Sequence, residues 1–124
     1  MKLLIIDDDE MVRSTLRYFL QNNYEVYEAG NGKEGLEVLA REKISLVLLD
    51  YHMPGMNGIE TLLLIKRDHP GVQVCMMSAE HIPYFREYAL SYGSYDFIRK
   101  PFDLDEVKAV LKNMEENNAK GASL

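Results

Sequence analysis

Five times along this chain a short apolar run rich in Val, Ile and Leu gives way to a longer segment of helical spacing. That alternation leaves few folds open, because strands joined through helices pair in parallel. The first run is Lys2 to Ile6, followed by a helix over Glu10 to Asn22 whose Val12, Leu16, Phe19 and Leu20 recur at helical spacing on a core face. Tyr24 to Ala29 alternates at period two, the pattern of a half-buried edge strand, and Lys33 to Glu42 forms the second helix with Leu36 and Leu39 inward. Leu46 to Leu49 is apolar on both faces, as a central parallel strand must be when helices cover both sides of the sheet, and it ends on Asp50.

The second half repeats the scheme. A third helix over Ile59 to Asp68 stops before Pro70-Gly71, since proline disfavours helix at the residue before it. Val72 to Met77 is the fourth strand. Pro83 suits the first turn of a fourth helix, with Phe85, Tyr88, Ala89 and Tyr92 on one face and Gly93 as its stop. Tyr95 to Ile98 is the fifth strand, and Asp103 with Glu106 has the spacing of a capping box ahead of a helix carrying Val107, Val110, Leu111 and Met114. From Asn117 the chain turns polar and is expected to fray. The reading is an α/β chain with one domain over residues 1–116 and a polar tail or linker start over 117–124.

A chain of 124 residues supports one such domain, exposing about 6,800 Å² when folded against about 20,700 Å² unfolded, so a core forms without disulfides or a structural metal. The net charge of -6 and the lack of a basic block argue against direct binding of nucleic acid. Cys75 is the only cysteine and lies in an apolar run, which excludes an internal disulfide, fits a reducing compartment and reads as a small buried hydrophobe. The apolar stretch at Leu3 to Ile6 is too short for a signal peptide, and no run of about 18 apolar residues exists to span a membrane. A cytoplasmic protein is expected.

In an open parallel sheet, ligands bind beyond the carboxyl ends of the strands, where strand order reverses. Those ends carry Asp7, Asp8 and Asp9 after the first strand, Asp50 after the third, Ser78 after the fourth and Lys100 after the fifth. Crowded carboxylates raise one another's pKa, so the cluster implies a cation. Magnesium fits, because it takes hard oxygen ligands and is often held by one or two carboxylates together with phosphate oxygens. His52, His69 and His81 lack the paired spacing of a zinc site, and the acidic triplet lacks the glycine and distal glutamate of a calcium loop. Gly30-Asn31-Gly32-Lys33-Glu34-Gly35 matches a dinucleotide-binding glycine pattern but follows an edge strand, so it reads as the turn that starts a helix.

Ile5-Ile6-Asp7-Asp8-Asp9, Leu48-Leu49-Asp50-Tyr51-His52-Met53-Pro54-Gly55-Met56-Asn57-Gly58, Ser78-Ala79-Glu80 and Tyr95-Asp96-Phe97-Ile98-Arg99-Lys100-Pro101-Phe102 occur in this order. Together they resemble the receiver domain of two-component response regulators, over Lys2 to about Glu116. The resemblance implies a flavodoxin-like, doubly wound (βα)5 fold with strand order 2-1-3-4-5, for which a chemotaxis member of this family is itself a reference case. It implies that Asp50 is the phosphoacceptor, taking a phosphoryl group from a sensor histidine kinase or a histidine phosphotransfer protein. Asp8, Asp50 and the backbone carbonyl of His52 resemble magnesium ligands, with Asp7 acting through metal-bound water. Lys100 matches the lysine that pairs with the phosphoryl group, and Ser78 and Phe97 match the switch hydroxyl and aromatic. Lys100-Pro101 matches a peptide bond that is commonly cis in the family, and His52 and Glu80 hold positions that tune dephosphorylation. A downstream protein or output domain is expected to read the change on the face made by the fourth helix, fifth strand and fifth helix. Such a domain catalyses only its own phosphorylation and dephosphorylation.

One enzyme class competes. Ile5-Ile6-Asp7-Asp8-Asp9 also resembles the apolar-Asp-x-Asp start of magnesium-dependent phosphohydrolases of the haloacid-dehalogenase type, in which Asp7 would be the nucleophile and Asp9 the acid. The chain has no room for a cap domain, and that reading leaves the Met53 to Gly58 loop unexplained.

Overall fold

Ten elements alternate strictly along the computed structural model, which describes residues 1–122. They are β1 (Lys2–Ile6), α1 (Glu10–Leu20), β2 (Glu25–Ala29), α2 (Gly32–Arg41), β3 (Leu46–Asp50), α3 (Gly58–Asp68), β4 (Gln73–Ser78), α4 (Phe85–Ser91), β5 (Asp96–Arg99) and α5 (Leu104–Ala122). All strand pairs are parallel and the sheet order is β2-β1-β3-β4-β5. The chain therefore leaves β1 toward one edge and returns on its other side as β3. Ile6 is paired with Ala29 on one flank and Leu49 on the other, so the residues that follow β1 and end β3 meet at this reversal of direction.

Two core layers follow from the strand period of two. Leu4, Ile6, Val47, Leu49, Val74 and Met76 face α2, α3 and α4, where they meet Val38, Leu39, Leu62, Ile65, Phe85 and Ala89. Leu3, Ile5, Leu48, Cys75, Met77 and Ile98 face α1 and α5 and meet Leu16, Leu20, Val107, Leu111 and Met114. The exposed area of 6892 Å² agrees with the value that size alone sets. Among the described residues, no helix is long and apolar enough to cross a membrane.

Several local expectations need correction. Phe19 is 41% exposed and stacks edge-to-face on Tyr18 at 5.1 Å, because Leu16 and Leu20 fill the narrow stripe that α1 buries. Pro83 precedes α4 instead of opening it. It sits in a turn closed by the Phe85 N–H on the Ile82 carbonyl at 3.2 Å, and Tyr84 takes the left-handed position that glycine favours, with φ 62°. Asp103 accepts from the Asp105 N–H at 2.8 Å and not from Glu106. The complete reciprocal capping box lies instead at the start of α3, between Asn57 and Glu60. The polar stretch from Asn117 continues the helix to Ala122, since residues such as Asn, Ala and Lys are compatible with a helical backbone and no proline interrupts it; residues 123–124 of the expected tail lie outside the described residues.

Ser94 joins β4 to β5 from within the core. Only 5% exposed, its hydroxyl accepts from the Met76 N–H at 3.0 Å and donates to the Asp96 carbonyl at 2.6 Å. Ser94→Ala leaves a buried N–H without that partner. The expected loss is about 1–3 kcal/mol, read as a lower urea midpoint at unchanged slope.

Candidate functional site

Asp50 ends β3 and Asp7 follows β1, and the two strands are neighbours, so register alone places both carboxylates at the switch point. Asp7 is fully buried and Asp50 is 4% exposed, while Asp8 faces solvent at the mouth. One carboxylate oxygen from each of Asp7, Asp8 and Asp50 lies within 4.8 Å of the others. Lys100, the residue after the carboxyl end of β5, places its Nζ 2.5 Å from Asp7 Oδ2 and 3.2 Å from Asp50 Oδ1. The other Asp7 oxygen accepts from the Asp9 N–H at 2.9 Å.

The electrostatics follow from this geometry. Burial, then the charge of Asp7, push the Asp50 carboxyl up from its ordinary 3.8 to about 6, with Lys100 opposing them. Burial alone would lower the Lys100 pKa, but its bonds and charge contacts with Asp7 and Asp50 outweigh burial and hold it above the ordinary value. Three acids sharing one ammonium leave a net negative, hard-oxygen pocket, which fits a divalent cation of the magnesium type.

The remaining site residues stand around this centre. Ser78, fully buried at the end of β4, accepts on its hydroxyl from the Glu80 N–H at 3.0 Å, and its carbonyl accepts from the Lys100 N–H at 2.9 Å. The Lys100–Pro101 peptide bond is cis. His52 lies at the mouth with its imidazole Nδ1 3.7 Å from Glu80 Oε1. Phe97, half-buried on β5, packs against Phe85 at 5.1 Å, and Phe85 also touches Tyr51, the residue after Asp50, at 4.8 Å. The sequence marks Phe85 only as one position of a helix face, because nothing local reveals that it bridges two strand ends.

The glycine pattern at 30–35 is structural. Asn31 caps α2 through the Glu34 N–H, and added Cβ atoms would meet Thr61 Oγ1 at Gly32 and Ile6 Cδ1 at Gly35, both under 2.5 Å. These glycines bring helix and strand together. Asp9, the acid required by the hydrolase reading, instead caps α1 by accepting from the Met11 and Val12 N–H groups. Asp7, its nucleophile, is closed off by Asp9 N–H and Lys100.

An acidic pocket under a lysine, at the switch point of a five-stranded parallel sheet, defines a doubly wound α/β domain whose chemistry sits at its strand ends. The family model described as "Response regulator receiver domain" matches residues 3–112. The chain belongs to that family and is a receiver domain of the two-component response regulator type. It is 34% identical over 112 residues to sporulation initiation phosphotransferase F of Bacillus subtilis, covering 90% of each chain. It is 36% identical over 113 residues to the transcriptional regulatory protein CrdR of Helicobacter pylori, covering 90% of this chain but 53% of that protein. Among solved structures, the receiver domain of the Francisella response regulator 1452 matches with TM-score 0.85 at 25% identity, over 94% of this chain and 98% of that one. NtrX from Brucella abortus matches with TM-score 0.93 at 27% identity, over 98% of this chain and 28% of that one. The chain thus spans about half the length of several curated relatives it matches. The haloacid-dehalogenase reading finds no support in these matches.

Proposed function

We propose that Asp50 accepts a phosphoryl group from a phosphohistidine on a sensor histidine kinase or histidine phosphotransfer protein, and that the resulting charge switches the domain toward a downstream protein or output domain. The observation that carries this reading is the placement of Asp50 Oδ1 3.2 Å from the Lys100 ammonium, beside Asp7 and Asp8. A carboxylate oxygen of Asp50 attacks phosphorus and forms the acyl phosphate. The histidine N–P bond breaks, its electron pair returns to the imidazole nitrogen, and solvent supplies the proton that nitrogen takes up. Lys100 follows the incoming charge as a point cation, exchanging its bond to Asp50 for one to a phosphoryl oxygen.

Asp8, Asp50 and the main-chain carbonyl of His52 would hold magnesium, with Asp7 acting through water because both its oxygens already carry protein bonds. Held there, magnesium would supply neutralisation of the charge on the transferring phosphoryl oxygens. Added charge of about -1.5 to -2 at Asp50 draws the Ser78 hydroxyl away from the Glu80 N–H, and Phe97 moves toward the space left behind. Because Phe97 stacks on Phe85, that motion is delivered to α4. The α4–β5–α5 face, where Tyr88 and Tyr92 are each at least 40% exposed, is then the surface a downstream partner reads. His52 and Glu80 stand over the mouth and set how readily water reaches the acyl phosphate. The domain, residues 1–116, works in the cytoplasm, modifies only itself and makes no direct contact with nucleic acid; the end of α5 beyond residue 116 serves as its helical tail or linker start.

Intact mass after incubation with acetyl phosphate tests this reading. One phosphoryl mass is expected in magnesium and none in excess chelator. Absence of the gain in magnesium overturns it.

A further inference from the structure

We propose that Arg13, braced by Glu28, is a positioning residue for the metal-binding carboxylates, acting through the peptide plane between Asp7 and Asp8. The proposal rests on the reading of Asp8 and Asp50 as magnesium ligands. The sheet ladder ends within a single residue: the Asp7 N–H still bonds the Ala29 carbonyl at 3.1 Å, but β1 pairing stops at Ile6. Arg13 takes over at that point, donating from Nη1 to the Asp7 carbonyl at 2.7 Å.

The bond matters because the peptide unit is planar, so fixing the Asp7 carbonyl fixes the plane that also carries the Asp8 nitrogen. Asp7 has two further restraints on its side chain. Asp8 has none: among the described residues its carboxylate accepts no protein hydrogen bond, and its aim depends on the backbone beneath it. Arg13 is itself held. Its Nε donates to Glu28 Oε1 at 3.2 Å, and Arg17, one turn along α1, donates to Glu28 Oε2 at 2.5 Å. Glu28 lies on β2 opposite Ile5 of β1, and the Arg13 and Glu28 side chains are only 18% and 26% exposed. The planar fork of arginine suits one nitrogen to the carboxylate and another to the carbonyl, which a lysine cannot do together.

A purely electrostatic role has the opposite sign. A cation beside three acids weakens magnesium binding, so removing it as a mere charge tightens the site, whereas removing a positioning group loosens it. Calorimetric titration of the metal-free protein with magnesium chloride separates these outcomes. Arg13→Ala is expected to bind about 10–100-fold more weakly than wild type, the usual cost of losing a group that orients metal ligands. Arg13→Lys and Glu28→Gln are expected to fall between, and they carry the test if Arg13→Ala fails to fold by circular dichroism. Tyr24→Phe, which loses a 3.0 Å bond to Glu115 far from the site, is expected to lower stability without changing magnesium affinity. Unchanged or tighter binding in the Arg13 and Glu28 variants overturns the inference alone. A wild type that gives no magnesium heat, measured also by competition with manganese, overturns both the metal reading and the inference.

Discussion

Asp50→Asn is expected to abolish phosphoryl uptake from acetyl phosphate and, in magnesium-free buffer near neutral pH, to make the protein more stable. The two effects share one cause, a carboxylate kept charged where the fold disfavours charge. Asp50 is 4% exposed beside Asp7, and its carboxyl titrates near 6 against an ordinary 3.8. Between those values the native state binds more protons than the unfolded state, so stability falls as pH rises from about 4 to about 6 and stays lowered above that. The difference corresponds to about 3 kcal/mol at most. Asparagine keeps the shape and removes the charge, and Lys100 retains Asp7, so a gain of about 1–3 kcal/mol is expected. For a domain of this size that is roughly 3–10 °C in melting temperature. The gain shrinks toward zero near pH 4, where the wild-type carboxyl is protonated. Thermal unfolding of both proteins at the two pH values checks the sign, and a variant less stable than wild type at neutral pH contradicts it.

Gly58→Ala is expected to be among the most damaging single methyl additions. A Cβ there would stand 2.6 Å from Tyr51 Cα and 2.7 Å from the Asp50 carbonyl oxygen, besides 2.6 Å from Met76 Cε. The methionine can move, but the two backbone atoms cannot move freely. The Tyr51 N–H bonds the Met77 carbonyl at 2.9 Å, and its carbonyl accepts from the Gly58 N–H at 2.8 Å. Overpacking against backbone belongs at the upper end of its usual range, about 3 kcal/mol, or roughly 10 °C. Because the displaced backbone carries Asp50, the initial rate of phosphoryl uptake is expected to fall at least about tenfold, as misplacement of reacting groups does. Gly71→Ala, with no atom within 4 Å of its added Cβ, serves as the control and should stay within about 0.5 kcal/mol of wild type.

Much of this molecule is written locally. Leu3 to Ile6 and Leu46 to Leu49 are apolar throughout, the mark of strands covered on both sides, and their successive side chains fall in opposite core layers because a strand has only two faces. Asp7, Asp8, Asp50, Ser78 and Lys100 are legible as rim residues because each closes or follows an apolar run. Local rules failed where two of them competed. Asp103 and Glu106 have capping-box spacing, yet the reciprocal bonds form at Asn57 and Glu60, where β3 and α3 fix the approach of the chain. Pro83 could open a helix or fill a turn, and the left-handed Tyr84 after it decided for the turn.

What the sequence determined by itself is the set of elements, most of the apolar faces they bury and the residue types delivered to one rim. These depend on periodicity and on turn and breaker residues, which act over a few positions of chain. Only the tertiary structure decided how those residues engage one another: Lys100 against Asp7 across 93 positions, Arg13 on the Asp7 carbonyl with Glu28 behind it, and Phe85 between Tyr51 and Phe97. The reason is geometric. Side-chain pairing at a strand end depends on sheet order and register, which are set by the packing of all five βα units together and are carried by no single segment.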